Sequence, residues 1–568
     1  MAGRYSESAR AVGRVVRDPD LRRLQLAGTL WWMADWAYLV GLGIYAFRAG
    51  GSLDVGVAGL IRMLPSALVA PFASHLGDRY PRQRVLIVVQ LGWTLALAGS
   101  ALTFAWNGPA GLIYGLASVT GIAFTICRPT QAALVPWLAK TSEELVAANA
   151  ASSTIESVGT LVGPLLGGVL AAVGNPGFVF TASAAACLLA AATTARIRIE
   201  GEGMRSARLP PAGLIREALG GFAALGQYPD ALLIVMLTMA QTFIRGALNV
   251  LIVVSALTLL HMGESGVGFL TAAMGAGGLV GSVVGLTLVG RRLAGPFAIG
   301  LVLWGLPVAA IAAWPRAGTA LVFLAVLGAG NSVFDVAMFT LLQRIVPDAV
   351  LMRVLGTMFG LVMGAVGVGS IVLPPLIDAV GTRGALAITG AFLPAITVAL
   401  LPRILRIDRT STVPKREISV LRKLSIFAPL SVAATEHLAS SMEPVGVPAG
   451  TLIIQEGEAG NRFYIVAEGE FHVTRGGRSV ATLGPESFFG EIALLRDTVR
   501  TATVTALTDA EVYAIDPPEF IAAVTGHSVS EEAVNRVMED RLAESGRSPS
   551  AATDRGAVSG SPNRSEKS

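Results

Sequence analysis

Two groups of residues in this chain have types and spacings suited to chemistry. The first is the run Phe489-Gly490-Glu491-Ile492-Ala493-Leu494-Leu495-Arg496-Asp497-Thr498-Val499-Arg500-Thr501-Ala502. A glycine opens a short helix, a carboxylate follows at once, and Arg500 returns nine residues after Glu491. Backbone N–H groups and that guanidinium can converge on one phosphate, while Glu491 accepts from a sugar hydroxyl. The second group is five ionisable side chains inside apolar runs: Asp35, Arg128, Glu156, Arg245 and Asp335. Charge is costly in such surroundings, so each is a functional candidate. Asp35 is the expected proton carrier, because apolar surroundings favour the neutral form of a carboxyl group. The alternative is a fixed ion pair of Asp35 with Arg62 or Arg245 that only holds helices together. Trp31, Trp32, Trp36 and Tyr38 are candidates for stacking on an aromatic substrate, weighed against plain packing.

The elements that must position these groups follow from composition. The 568 residues are 53% hydrophobic and only 14% charged, with mean hydropathy +0.63. Most of such a chain belongs in a bilayer, with membrane lipid as its surroundings. A net charge of +4 raises nucleic acid as a partner, but the arginines cluster between apolar runs, where the positive-inside rule puts them, so none is expected. Cys127 and Cys187 fall inside apolar runs without metal-ligand spacing, so no disulfide, metal or cofactor is expected. The first apolar run is too long for a signal peptide and lacks a cleavage motif.

Apolar segments of about 20 residues can each cross a bilayer. Six are expected near Leu26–Phe47, Val55–Leu76, Val85–Trp106, Gly111–Ala133, Leu145–Val173 and Phe178–Ala195. Six more lie near Ala231–Leu260, Val267–Val289, Pro296–Trp314, Leu321–Ile345, Val354–Leu376 and Ala385–Leu401, which makes twelve. Alternate loops carry the arginines, which predicts a multi-pass protein of the cytoplasmic membrane with both termini cytosolic. The expected divisions are a basic N-terminal segment 1–25, a six-span half 26–195, a central loop 196–230, a second half 231–402, a linker 403–417, a soluble domain 418–544 and a disordered tail 545–568. Leu214 to Leu225 is amphipathic and reads as lying along the inner surface. An internal repeat sets Val158-Gly159-Thr160-Leu161-Val162-Gly163-Pro164 beside Val368-Gly369-Ser370-Ile371-Val372-Leu373-Pro374. Prolines 136 and 164 are 28 apart, and 347 and 374 are 27 apart.

Two six-span halves of parallel topology are the plan of the major facilitator superfamily. Gly77-Asp78-Arg79-Tyr80-Pro81-Arg82-Gln83-Arg84, after the second span, resembles that family's loop signature, with Ser74 and Pro81 in place of its two glycines. The resemblance implies that Gly77, Asp78, Arg79, Arg82 and Arg84 form a conformational latch. Gly159, Gly163, Pro164, Gly167 and Gly168 resemble the antiporter motif of the family's exporters, where small residues let helices approach closely. Arg128-Pro129-Thr130-Gln131 resembles the drug, macrolide and siderophore exporter branch. By the same analogy Asp35, Arg128, Arg245 and Asp335 lie on spans that line a central cavity for a small-molecule substrate.

The run from Phe489 resembles the phosphate cassette of cyclic-nucleotide-binding domains, a likeness that extends over about Ile418 to Glu544. It departs at Val499, where proline is common, and at Glu486-Ser487, where Gly-Asp is common. Carried over by position, Gly490 and Ala493 give backbone contacts, Glu491 holds the ribose, Arg500 the phosphate, and Thr501 and Ala502 complete the cradle. The ligand implied is cyclic AMP, with cyclic GMP open through Thr501. The fold expected is an α-helical twelve-span membrane domain followed by a β-roll with flanking helices. The function expected is proton-coupled efflux of amphipathic molecules under cyclic-nucleotide control, with no enzymatic activity. A membrane-held nucleotide sensor with a non-transporting body and a lipid or lysolipid carrier are the alternatives. Oligomeric state is not legible.

Overall fold

The computed structural model describes residues 18–525 apart from 139–141, 198–224, 287–291, 347, 411–414, 425, 428–429, 431–434, 436–437 and 497. The amphipathic joining segment, but for Leu225, and the tail 545–568 lie outside the described residues. The chain divides into two compact units, Met1–Val413 and Pro414–Ser568.

The first unit is helical: α1 Pro19–Arg79, α2 Arg82–Ala105, α3 Ala110–Leu138, α4 Ser142–Val173, α5 Pro176–Ala195, α6 Pro229–Val254, α7 Gly263–Leu286, α8 Ala294–Ala313, α9 Ala317–Ile345 and α10 Asp348–Thr410. A π-helical turn, Ser255–Leu259, closes α6. These give ten stretches long and apolar enough to cross a membrane among the described residues. Two are interrupted. Gly51 has φ +65° within α1 and Gly381 has φ +71° within α10, a left-handed conformation that costs glycine little. Each of these two stretches is therefore two helices joined at a glycine corner, and the corners fall between the apolar segments expected as spans 1 and 2 and as spans 11 and 12.

Local chemistry sets the helix starts. Asp18 Oδ1 accepts from the N–H groups of Asp20 and Leu21 at 2.9 and 3.1 Å ahead of Pro19, and Asn175 Oδ1 accepts from Gly177 and Phe178 ahead of Pro176. The expected linker 403–417 is helical as far as Thr410. Asp408, within it, accepts from the N–H groups of Leu293 and Ala294 at 3.0 and 3.1 Å and so caps α8.

Close packing runs through glycine. A Cβ on Gly159, Gly163 or Gly167 would lie 2.9 Å from Trp32 Cβ, 2.7 Å from Trp36 Cβ or 2.6 Å from the Ala37 carbonyl oxygen, so these residues seat α4 on α1. In the repeat's second copy a Cβ on Gly369 would run into the Phe243 carbonyl, which seats α10 on α6. The two copies of the sequence repeat thus make equivalent helix contacts. Gly168 differs, since its Cβ would lie 2.9 Å from Gly268 Cα on α7, across the two halves.

The second unit opens with α11, Lys415–Lys423. Its strands are β1 Glu443–Val447, β2 Leu452–Ile454, β3 Phe463–Glu468, β4 Phe471–Arg475, β5 Arg478–Leu483, β6 Phe488–Phe489, β7 Thr503–Ala506 and β8 Ala510–Ile515, with α12 Glu491–Arg496 after β6 and α13 Pro517–Thr525 last. They form two antiparallel four-stranded sheets, ordered β1-β8-β3-β6 and β2-β7-β4-β5. Gly476 and Gly477, both at positive φ, make the β4–β5 turn. Phe427, Phe463 and Phe520 pack in one core and Phe471 and Phe489 in another.

Candidate functional sites: a charged cavity and an anion pocket

All five ionisable residues singled out from the apolar runs line one cavity of about 360 Å³ in the first unit. Helices α1, α3, α4, α6, α9 and α10 contribute to its wall, so both halves build it. Among the lining residues Asp35, Glu156 and Asp335 face Arg62, Arg128 and Arg245, a formal balance of charge. Arg62, named from the sequence only as a possible partner, is itself a wall residue.

Three arrangements hold these charges. Arg62 Nη2 donates to Asp35 Oδ1 at 2.5 Å, both side chains are buried, and Arg62 Nε reaches Thr120 Oγ1 at 3.4 Å. Arg128 Nη2 donates to Glu156 Oε1 at 2.9 Å where both are partly exposed, and its guanidinium lies over the Trp32 ring at 5.8 Å. Asp335 Oδ2 accepts from Asn331 Nδ2 at 2.9 Å, and Asn331 Oδ1 in turn accepts from Trp304 Nε1 at 3.0 Å. Trp32 and Trp36 line the cavity, whereas Trp31 and Tyr38 are buried in the core, Trp31 donating to Gln131 Oε1 at 2.6 Å.

The loop signature is described in part. Gly77, Asp78 and Arg79 lie at the end of α1, with their side chains outside what is described. Arg82 Nη1 donates to the Ala133 carbonyl at 3.1 Å, and Arg84 is exposed. Gln83, which the motif comparison passed over, donates to the Thr194 and Ile197 carbonyls at 3.0 and 2.7 Å and ties this corner to the end of α5.

In the second unit Gly490, Glu491, Ala493, Arg500, Thr501 and Ala502 line one pocket of about 250 Å³ with Ile454, Val473, Leu483 and Val504. Gly490 has φ +94°, and a Cβ there would lie 2.7 Å from Arg500 Nη1, so glycine meets both a backbone and a space requirement. Arg500 is 4% exposed; Nη1 donates to the Gly490 carbonyl at 2.9 Å and Nη2 to the Arg462 carbonyl at 2.6 Å. Burial pulls its pKa down from the ordinary arginine value, against the opposing influence of Tyr464, Glu491 and Glu458. Glu491 is buried at the pocket wall. The pocket therefore offers a forked cation, a carboxylate and an apolar wall, the chemistry that suits a phosphate ester with a hydroxylated sugar and a planar base.

Comparison with known proteins agrees with these two units. Residues 26–295 match the Major Facilitator Superfamily and residues 444–527 match the Cyclic nucleotide-binding domain. The chain is 36% identical over 103 residues to a cAMP-dependent protein kinase regulatory subunit of Schizosaccharomyces pombe, covering 18% of this chain and 25% of that one. It is 37% identical over 111 residues to a cGMP-dependent protein kinase of Eimeria tenella, covering 19% and 11%. It thus spans a quarter or less of the length of these two curated relatives. Among solved structures, the nucleoside transporter NupG matches at TM-score 0.57 and 12% identity over 68% of this chain and 98% of that one, a likeness of fold. The chain joins a Major Facilitator Superfamily domain to a C-terminal cyclic nucleotide-binding domain.

Proposed function

We propose that the protein is a secondary active transporter of twelve spans that exports amphipathic small molecules in exchange for protons, under the control of a cyclic nucleotide bound at its cytosolic C-terminal domain. The observation that carries this reading is the presence on one chain of a charge-balanced cavity between two helical halves and a pocket built around Arg500 and Glu491. The cavity suits a molecule with an apolar body and polar ends, since Met338, Met358 and Met363 present adaptable apolar surface beside the charges. Cyclic AMP is the proposed ligand of the pocket, with cyclic GMP the alternative.

Proton coupling needs a carboxylate that can change protonation without stranding a buried partner. Neutralising Asp35 would leave Arg62 buried and unpaired, at a cost of about 3–5 kcal/mol. Asp335 accepts from a neutral amide and meets Arg245 only through space, with no contact ion pair among the described residues, so its protonation breaks no clamped pair; it carries the proposed proton and Asp35 keeps the helices of its half in register.

The test of regulation is transport by the purified full chain in proteoliposomes, with cyclic AMP or cyclic GMP supplied at the face that carries the C-terminal domain. A coupling of about 1–3 kcal/mol would change the conformational equilibrium roughly 5- to 150-fold. Equal rates with and without nucleotide, at demonstrated occupancy, would make the domain a tether or a sensor.

A further inference from the structure

The three guanidiniums of the cavity are not equivalent. Arg62 is clamped by Asp35, and Arg128 by Glu156. Arg245, about two-thirds of the way along α6, lines the cavity and makes no hydrogen bond or ion pair among the described residues; of the charges that act on it through space Asp335 is the strongest, with Arg128 and Glu156 beside it. One turn before it stands Gln241 and one turn after it Asn249, and both line the same cavity. Neither amide has a hydrogen-bond partner among the described residues, although Gln241 is only 3% exposed. Spacing of four on one helix puts all three on one stripe, so α6 presents a ladder of unused donors around one cation. A cation that deep in a membrane domain is costly unless something uses it.

We propose that this stripe is the subsite for an anionic group, a carboxylate or a phosphate or sulfonate ester, on the transported molecule. The forked donors of Arg245 take two oxygens, and Gln241 and Asn249 donate from either side. Trp32 and Phe339 on the facing walls, with Met358, receive the apolar body. The side-chain stripe, rather than the count of charges, makes the site anion-selective, because the other two cations are already neutralised by contact. The inference rests on the transport reading for its physiological meaning, yet binding can be measured apart from transport.

The test uses the full chain in lipid nanodiscs and two probes with one ring body, 1-naphthaleneacetate and 1-naphthaleneacetamide, read by calorimetry. The acetate is expected to bind the native protein at least 10-fold more tightly than the amide. Arg245→Gln should remove that preference, and Arg245→Lys should restore part of it, since lysine keeps the charge and loses the fork. Gln241→Leu and Asn249→Leu should each weaken the acetate several-fold more than the amide. Thermal unfolding of each variant, near native, establishes that the cavity is intact; should Arg245→Gln unfold, Arg245→Lys and Asn249→Leu decide. The inference is overturned if the native protein binds both probes equally or neither, or if the variants weaken both alike. Counterflow of the bound probe in proteoliposomes separates the two readings. Anion-selective binding without movement would leave the subsite standing and sink transport, while movement of both probes at equal affinity would do the reverse.

Discussion

Arg500 gives its two terminal nitrogens to the carbonyl oxygens of Gly490 and Arg462, and an arriving phosphate must compete with or share those donors. Arg500→Ala would leave both carbonyls short of a buried donor and remove the cation, so it should weaken cyclic-nucleotide binding by about 2–4 kcal/mol and destabilise the domain by about 1–3 kcal/mol. Arg500→Lys separates the effects, because it retains charge and loses the fork. Titration calorimetry beside thermal unfolding checks both, and native affinity in Arg500→Ala would remove the arginine from the phosphate. At the cavity, Asp335→Asn should abolish uphill export in everted vesicles while downhill exchange continues. Asp35→Asn should instead lower the unfolding temperature, since it strands Arg62. Uphill export that survives Asp335→Asn would move the proton to Glu156 or back to Asp35.

At the scale of elements, four glycines on α4 have two different tasks. Gly159, Gly163 and Gly167 face α1 inside one half, so Gly167→Val should drive the side chain into the Ala37 carbonyl and unfold the half or cost several kcal/mol. Gly168 meets Gly268 and the Ser265 carbonyl of α7 in the other half, at the end of the bundle where Arg48 also pairs with Glu264. Gly168→Val should leave each half folded and hold this end of the two halves apart. Spin labels on α4 and α7 near these glycines would read a longer distance in Gly168→Val, and an unchanged distance would show that the contact does not gate. In the second unit, α11 is tied to the end of β3 by Arg416 with Glu468 at 2.6 Å and to the β5–β6 turn by Lys423 with Glu486 at 2.6 Å. All four side chains are exposed, so each pair adds little alone and less at high salt.

For the whole molecule, arginine distribution predicts that both termini share one side of the membrane. Reporter fusions after Glu202 and after Arg403 should both report the cytosol, and a periplasmic signal from either would overturn the proposed topology. The six residues of the nucleotide cassette could be read in order because they are nearly contiguous, and a local turn, helix and strand bring them together. The five cavity residues could be flagged one by one, since charge within an apolar run is visible without a fold.

What the sequence by itself determined was the class of each unit: apolar runs of bilayer length, an internal repeat whose two copies keep proline spacings of 28 and 27 residues, and an alternating region with turn glycines can each be satisfied in few ways. The tertiary structure alone decided which charges neutralise which. Asp35 could have met Arg62 or Arg245, and only the packing of the two arms of α1 puts Arg62 at 2.5 Å. The same packing leaves Arg245, with Gln241 and Asn249, facing the cavity without a partner among the described residues. Burial and contact depend on groups far apart in the chain, whereas apolar length and turn chemistry depend on near neighbours, and that difference in range separates what was legible from what was not.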